Sequence, residues 1–441
     1  MTDSERALIP LVDWASQVRY EDIPAPVREQ ARLIIYDLLA AIWAGKTEAE
    51  VAGLAHWANA NQWLFEPLWQ GCILGTSAVA LEMDEGNRRT LGHPGSHVAP
   101  VMLAHLRDIP SFEEFLRVFV VAYEVSARIA RCGRPRPDAH PHGTWGTVGS
   151  AVAMALLASH DLRDTILLAS STTIATAFTA ALEGRTVRNL YAGLSALVGS
   201  LATQWSDVVA GIFAPTETMF STWSGQALTE GLGTHFAVSE NYFKTIAACR
   251  YVHGTVEAIE NLRDELPLSR VHVDQVVVET YAPASQLSGL PHNTLSSKFS
   301  LPYAILKALE GKARDPRSFH EPLELTAEQT NLLRHIVVKE NEEFTDLLPE
   351  VRKTRVQIHY TMDGHTSIAV DEVDLPMGEW DRPFPPDMLF RKWQQVFSDL
   401  PSNVLPELPS DLSLESLRRF TTAFFEAVLL KKSSAEGVVR R

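Results

Sequence analysis

From residue 24 to about 265 the chain carries apolar residues at helical spacing, and at 270 that spacing gives way to alternation. The switch limits the fold more than any other feature. A long early stretch must bury helix faces, and a later, shorter one must bury the face of a sheet. Val27, Ala31, Ile34, Ile35, Leu38 and Ile42 form one apolar stripe closed by Gly45. Residues 111–131 and 144–160 repeat the pattern, the second so rich in Ala and Gly that neighbouring helices can approach closely. A periodic helix over 251–266 ends the run. The uncharged stretch 165–182 reads as a buried helix, because its hydroxyls and alanines suit a membrane span poorly.

Beyond 270, V-H-V-D-Q-V-V-V-E-T-Y predicts a strand, and residues 354–361 and 365–373 predict a hairpin around Met362-Asp363-Gly364. A helix over 299–310 lies between them. P-F-P-P at 383–386 leads into two amphipathic helices near 387–398 and 412–430 that can pack back on the helical part. At 441 residues the chain exceeds what one hydrophobic core serves well. The expectation is a mainly α protein. A large all-helical domain, discontinuous in sequence, takes 1–268 and 387–441, and a smaller α+β lid domain takes 269–386. No internal repeat or low-complexity segment is evident.

A formal charge of −15 argues against a nucleic-acid partner, which needs a basic face. It leaves room for an anionic small molecule, since a few cations can dominate the field inside a cleft. Cys72, Cys132 and Cys249 are isolated, so neither a disulfide framework nor a zinc site is suggested. With no basic, apolar leader at the N-terminus, a cytoplasmic protein without membrane contact is expected.

Signatures of bound nucleotides and of the G-x-S-x-G nucleophile are absent; Gly193-Leu194-Ser195-Ala196-Leu197 fails the latter. His93 and His97 have the spacing of a metal pair, but Pro94-Gly95 between them should break the helix such a pair requires. Histidines recur in two proline corners, G-H-P-G-S-H at 92–97 and A-H-P-H-G-T-W-G at 139–146. Pro100 is placed like a first-turn proline and Thr144 like an N-cap, so both corners precede a helix. A helix N-terminus favours neutral imidazole and attracts carboxylates, so each corner could hold an anion and offer it a base. The plainer reading makes them hydrogen-bonding loop histidines. Arg128, Arg131, Arg134 and Arg136 read as a solvated face that could also steer an anion.

Several stretches together are similar to the MmgE/PrpD family. They are L-E-M-D-E-G…G-H-P-G-S-H-V-A-P at 81–100, Y-E-V-S-A-R-I-A-R-C at 123–132 and H-P-H-G-T-W-G-T-V-G-S-A at 140–151. N-Y-F-K-T-I-A-A-C-R-Y-V-H at 241–253 and K-F-S-L-P-Y-A-I at 298–305 complete the series. The family includes 2-methylcitrate dehydratase, cis-aconitate decarboxylase and iminodisuccinate epimerase. The resemblance implies a homodimeric, cofactor-independent lyase of the dehydratase type, without metal, acting on a small di- or tricarboxylate. Epimerisation and decarboxylation are the near alternatives, and a non-catalytic carboxylate binder the distant one. By the same resemblance His93, His140, Lys244 and Tyr303 are catalytic. Glu82, Asp84, His142, Thr144, Arg188 and Arg250 then contact the substrate, with His140 exchanging the proton and Lys244 holding the anion. Arg188 and Tyr191 replace the lysine and histidine of the family's K-x-L-H-x-G, and an arginine can grip a carboxylate but not shuttle protons.

Overall fold

The computed structural model describes residues 3–136, 139–174, 177–209, 219–266, 271–319 and 325–430. It is mainly α-helical, as the periodicity predicts, with one four-stranded sheet and two short two-stranded ladders among the described residues. The expected helices appear as Ala25–Gly45, Phe112–Arg131, Trp145–Ala158, His253–Glu265, Leu301–Leu309, Pro386–Val396 and Leu414–Leu430. The uncharged stretch differs: helix Leu162–Ser171 stops, and a short helix, Thr179–Leu182, follows. The hydroxyls of Ser170, Ser171 and Thr172 each donate to a carbonyl four residues back, which competes with continuing the helix. Among the described residues no helix is long and apolar enough to cross a membrane.

One hydrophobic core gathers the helices of the first half, from Leu8 to Phe243, and takes back Leu389, Trp393, Phe420, Phe424 and Val428 near the C-terminus. Lys392 and Trp393 both donate to the buried Asp37 carboxylate, at 2.6 and 2.9 Å, fastening the returning helix. A second core lies under the sheet and includes Val276, Val278, Val356 and Ile358. It also takes in Val256, Ile259 and Leu262 of helix His253–Glu265, which the expected boundary assigns to the helical part. The expected junction at 268/269 lies outside the described residues. The sheet has the order Ile336–Glu340, His272–Thr280, Thr354–Met362, His365–Val373, the first pair parallel and the others antiparallel. The hairpin register closes on Met362 opposite His365, around Asp363-Gly364.

Small residues set the spacing of helices packed around the histidines. Helix Pro67–Ala80 lies so close to helix Val187–Trp205 that a methyl group on Gly193 would overlap the Cys72 carbonyl and the Thr76 hydroxyl. One on Gly146 would overlap the His97 ring. Gly193→Ala should therefore destabilise the fold by about 1–3 kcal/mol, the cost of overpacking a dense core. Gly53→Ala, where nothing lies within 4 Å, should instead stabilise its helix by about 0.5–1 kcal/mol. Urea midpoints of the two variants, moving in opposite directions, check both.

Candidate active site

The segment Leu81–Pro94 leaves helix Pro67–Ala80 and carries three consecutive-turn carboxylates, Glu82, Asp84 and Glu85. Buried lysines hold its backbone: Lys298 donates to the Ala80 carbonyl at 2.9 Å and Lys392 to the Met83 carbonyl at 3.0 Å. Glu82 and Leu91 adopt left-handed φ values of 54° and 55°. Such residues cost of order 1 kcal/mol each and persist where the surroundings dictate them, often at functional sites. Gly86-Asn87 pairs antiparallel with Asn241-Tyr242, and this short ladder delivers Lys244 to the carboxylates. Lys244 is fully buried, its Nζ 3.4 Å from both Glu82 Oε2 and Asp84 Oδ1.

Around this ion cluster sit four imidazoles. Helix Gly95–Ala104 begins at Gly95, whose amide donates to Glu85 Oε1, so Pro94-Gly95 starts a helix rather than breaking one. His93 stays just outside that helix, and His97 falls in its first turn. His93 Nδ1 is 2.7 Å from the Glu85 carbonyl oxygen and 3.2 Å from Asp84 Oδ2. Both oxygens only accept, so Nδ1 bears the proton and the lone pair of neutral His93 is on Nε2. Burial pushes the Asp84 carboxyl up, but His93, Lys244 and the Ser96 hydroxyl outweigh it and hold it at about 2. Burial drives His93 down against the pull of Asp84, leaving neutral imidazole beside ionised carboxylate.

The second corner is wired differently. His140 Nδ1 accepts the His142 backbone N–H at 3.1 Å, so the neutral ring carries its proton on Nε2. The sequence argument expects a base there; the ring instead presents a donor. Arg188 Nη2 lies 3.1 Å from His142 Nε2, and a guanidinium only donates, so His142 must donate from Nδ1 to His97 Nε2, also at 3.1 Å. Burial holds His140 and His142 well below the ordinary imidazole range and His97 at about 3. The rings of His140 and His142 stack with centroids 4.6 Å apart.

Other expectations need correction. Thr144 stands at the N-cap of helix Trp145–Ala158, but its side chain caps no amide; it donates to the His140 and Pro141 carbonyls at 3.1 and 3.3 Å. The amides of Gly143 and Thr144 are likewise taken, by the carbonyls of His140 and Pro141, so this corner offers a substrate neither amide. Tyr303 packs its ring on Phe319 in the second core and donates its hydroxyl to the Ser318 carbonyl at 2.9 Å, so that hydroxyl proton is engaged. Lys244 serves Glu82 and Asp84 rather than open space. Arg188 is ion-paired with Glu82 and donates to the Val79 carbonyl, so its fork is largely engaged. Arg128 is buried and bonded to Glu124, not part of a solvated face, and the Arg134 side chain lies outside the described residues.

A cavity opens on this cluster. Its lining includes Glu82, His93, His140 and Arg188 together with Tyr242, Cys249, Arg250, Tyr251, Phe299 and Arg352. The walls leave about 40 Å³ of free space, room for about one water, so admitting a substrate requires them to part. A roomier groove of about 650 Å³ by Thr47, Leu81 and Gln395 gathers no comparable chemistry, since Arg314 is bound to Glu260 and Arg317 to Asp315. Sequence reasoning missed Tyr242, Tyr251, Cys249 and Ser96, although all lie in the stretches quoted above. It also missed Arg352, for which the charged run around it carries no signal. Among the described residues, no group of three His, Cys, Asp or Glu side chains converges as metal ligands would.

Two family descriptions match the chain, the MmgE/PrpD N-terminal domain over residues 10–199 and the MmgE/PrpD C-terminal domain over residues 246–405. A cis-aconitate decarboxylase of Aspergillus terreus is 25% identical over 439 aligned residues, covering 87% of each chain. Another, from A. terreus strain NIH 2624 / FGSC A1156, is 25% identical over 464, covering 92% of each. The cis-aconitate decarboxylase-like protein oryM of Aspergillus oryzae is 23% identical over 308, covering 60% of this chain and 63% of its own.

Proposed function

This chain belongs to the MmgE/PrpD family, and from that premise we propose that it is a cofactor-independent lyase of the dehydratase type acting on a small di- or tricarboxylate. The observation that carries the reading is the tautomer pair. His93, oriented by Asp84, has its lone pair on Nε2, whereas His140 on the same cavity has an N–H at Nε2. His93 removes the proton alpha to a carboxylate, and the C–H electron pair is held as an enolate-like carbanion. His140 Nε2–H donates to that developing charge, a role suited to neutral imidazole in a dry site. The pair then forms the carbon–carbon double bond as the C–O bond breaks, and the His93 imidazolium returns its proton to the departing hydroxide as water. Arg188, Lys244 and Glu82 position the histidines and balance the buried charge. Arg250 is a wall residue, and the active unit is a homodimer.

Decarboxylation is the second reading, favoured by the 25% identity to cis-aconitate decarboxylases over about nine-tenths of the chain. It uses the same two histidines, with the carbanion formed by loss of CO2 and quenched by protonated His93. Incubating the protein in D2O with citrate-like and aspartate-like acids, followed by NMR, tests both. Deuterium at the alpha carbon together with an alkene product is expected. Release of CO2 supports the second reading, and exchange with inversion alone points to epimerisation. Neither exchange nor CO2 from any acid, with binding retained, leaves a carboxylate-binding protein.

A further inference from the structure

We propose that Arg352 anchors a second carboxylate of the substrate and is the residue by which this site selects a di- or tricarboxylate over a monocarboxylate. The inference rests on the lyase reading above for the position of the reacting carbon, but its binding test does not. Arg352 lies just before strand Thr354–Met362 and lines the same cavity as His93 and His140. It is 2% exposed. Its Nη2 donates to the Arg88 carbonyl at 3.3 Å, while its Nη1 makes no hydrogen bond and stays 3.8 Å from Glu379 Oε1. A buried guanidinium N–H without an acceptor is costly, and in a cavity wall it marks where an acceptor binds.

Charge balance points the same way. On the histidine side Glu82 and Asp84 offset Arg188 and Lys244. On the sheet side Arg88, Arg250 and Arg352 share the buried carboxylate of Glu379, and Arg88 also reaches Asp381 at 2.9 Å and Glu350 at 3.7 Å. Asp381 and Glu350 are partly exposed, so here the buried guanidiniums outnumber the fully buried carboxylates, and one of them can offer its charge to the cavity. Arg250 is not the group that offers it, because its nitrogens already serve Glu379, His253 and the Pro376 and Met377 carbonyls. The two tyrosines of the wall add no negative charge: burial keeps the Tyr242 and Tyr251 phenols protonated. The Tyr242 ring lies 6.4 Å from the His93 ring and 5.8 Å from the Arg352 guanidinium carbon. A carboxylate held at Arg352 therefore lies beside Tyr242, whose ring also neighbours His93.

The test uses tricarballylate, a tricarboxylate with no hydroxyl to lose, and butyrate as a monocarboxylate, with binding read by calorimetry on the full chain. Arg352→Met should weaken tricarballylate binding about 10- to 100-fold, the range for losing a charge-assisted hydrogen bond, and leave butyrate binding unchanged. Arg352→Lys keeps the charge without the fork and should lose less, which guards against a folding defect in the methionine variant. Equal tricarballylate affinity in wild type and both variants overturns the proposal. So does a parallel loss for tricarballylate and butyrate, which marks a structural role. If the wild type binds tricarballylate through Arg352 yet exchanges no proton with any acid, the anchor stands and the lyase reading fails. If the wild type binds no tricarballylate, the anchor is wrong whatever the exchange shows.

Discussion

His93→Ala is expected to lower turnover by about 10²–10⁴-fold, the usual worth of a positioned general base. The fold should survive, because Asp84 keeps Lys244 at 3.4 Å and the Ser96 hydroxyl at 2.6 Å. The pH dependence sharpens the test. Burial pulls the folded-state value of His93 below the ordinary imidazole value of 6.5, so the base is already neutral at mildly acidic pH. The wild-type rate should hold as pH falls through 6.5 and drop only below it. Asp84 opposes that pull, so Asp84→Asn should move the acid limb to still lower pH while reducing the maximum rate, since the imidazole loses its orienting carboxylate. A His93→Ala variant with wild-type turnover, or an acid limb that Asp84→Asn leaves in place, would remove His93 from the mechanism.

Lys244→Met is expected to destabilise the protein by about 3–5 kcal/mol, the cost of breaking a buried ion pair and stranding its partner. Here Glu82 and Asp84 would be left with Arg188 as the nearest full charge. In the variant the folded-state values of these carboxyls rise above those of the wild type, so the penalty is fully present above the raised values and shrinks as pH falls through them toward the lower wild-type ones. Urea unfolding at pH 8 and pH 4 should show the larger loss at pH 8. If Lys244 gripped the substrate instead, as the sequence alone suggests, the substitution would raise KM and leave the unfolding midpoint where it was.

The sequence by itself determined the mainly α class, the helix from 112 to 131, the hairpin around Asp363-Gly364 and the return of the C-terminal helices, because each rests on a local period or turn. The motif stretches also identified the family and, of the cavity lining, Glu82, His93, His140 and Arg250. What they could not determine is how each side chain is used, because that depends on partners far away in sequence. His140 looks like a base in A-H-P-H-G-T-W-G and becomes a donor only because its own loop turns the His142 amide onto Nδ1. Tyr303 is catalytic by the family resemblance, yet the fold packs it in the second core. Lys244 and Arg188 look like anion clamps, yet 162 residues separate Lys244 from Glu82 and only folding shows that the acids of 82–84 occupy both cations. Arg352 is the converse, an arginine with no local signal that tertiary structure places on the cavity with an unused donor. Periodicity is a property of neighbours along the chain and can be read there. Hydrogen-bond direction and charge balance in a buried site are properties of neighbours in space, and only the packed structure decides them.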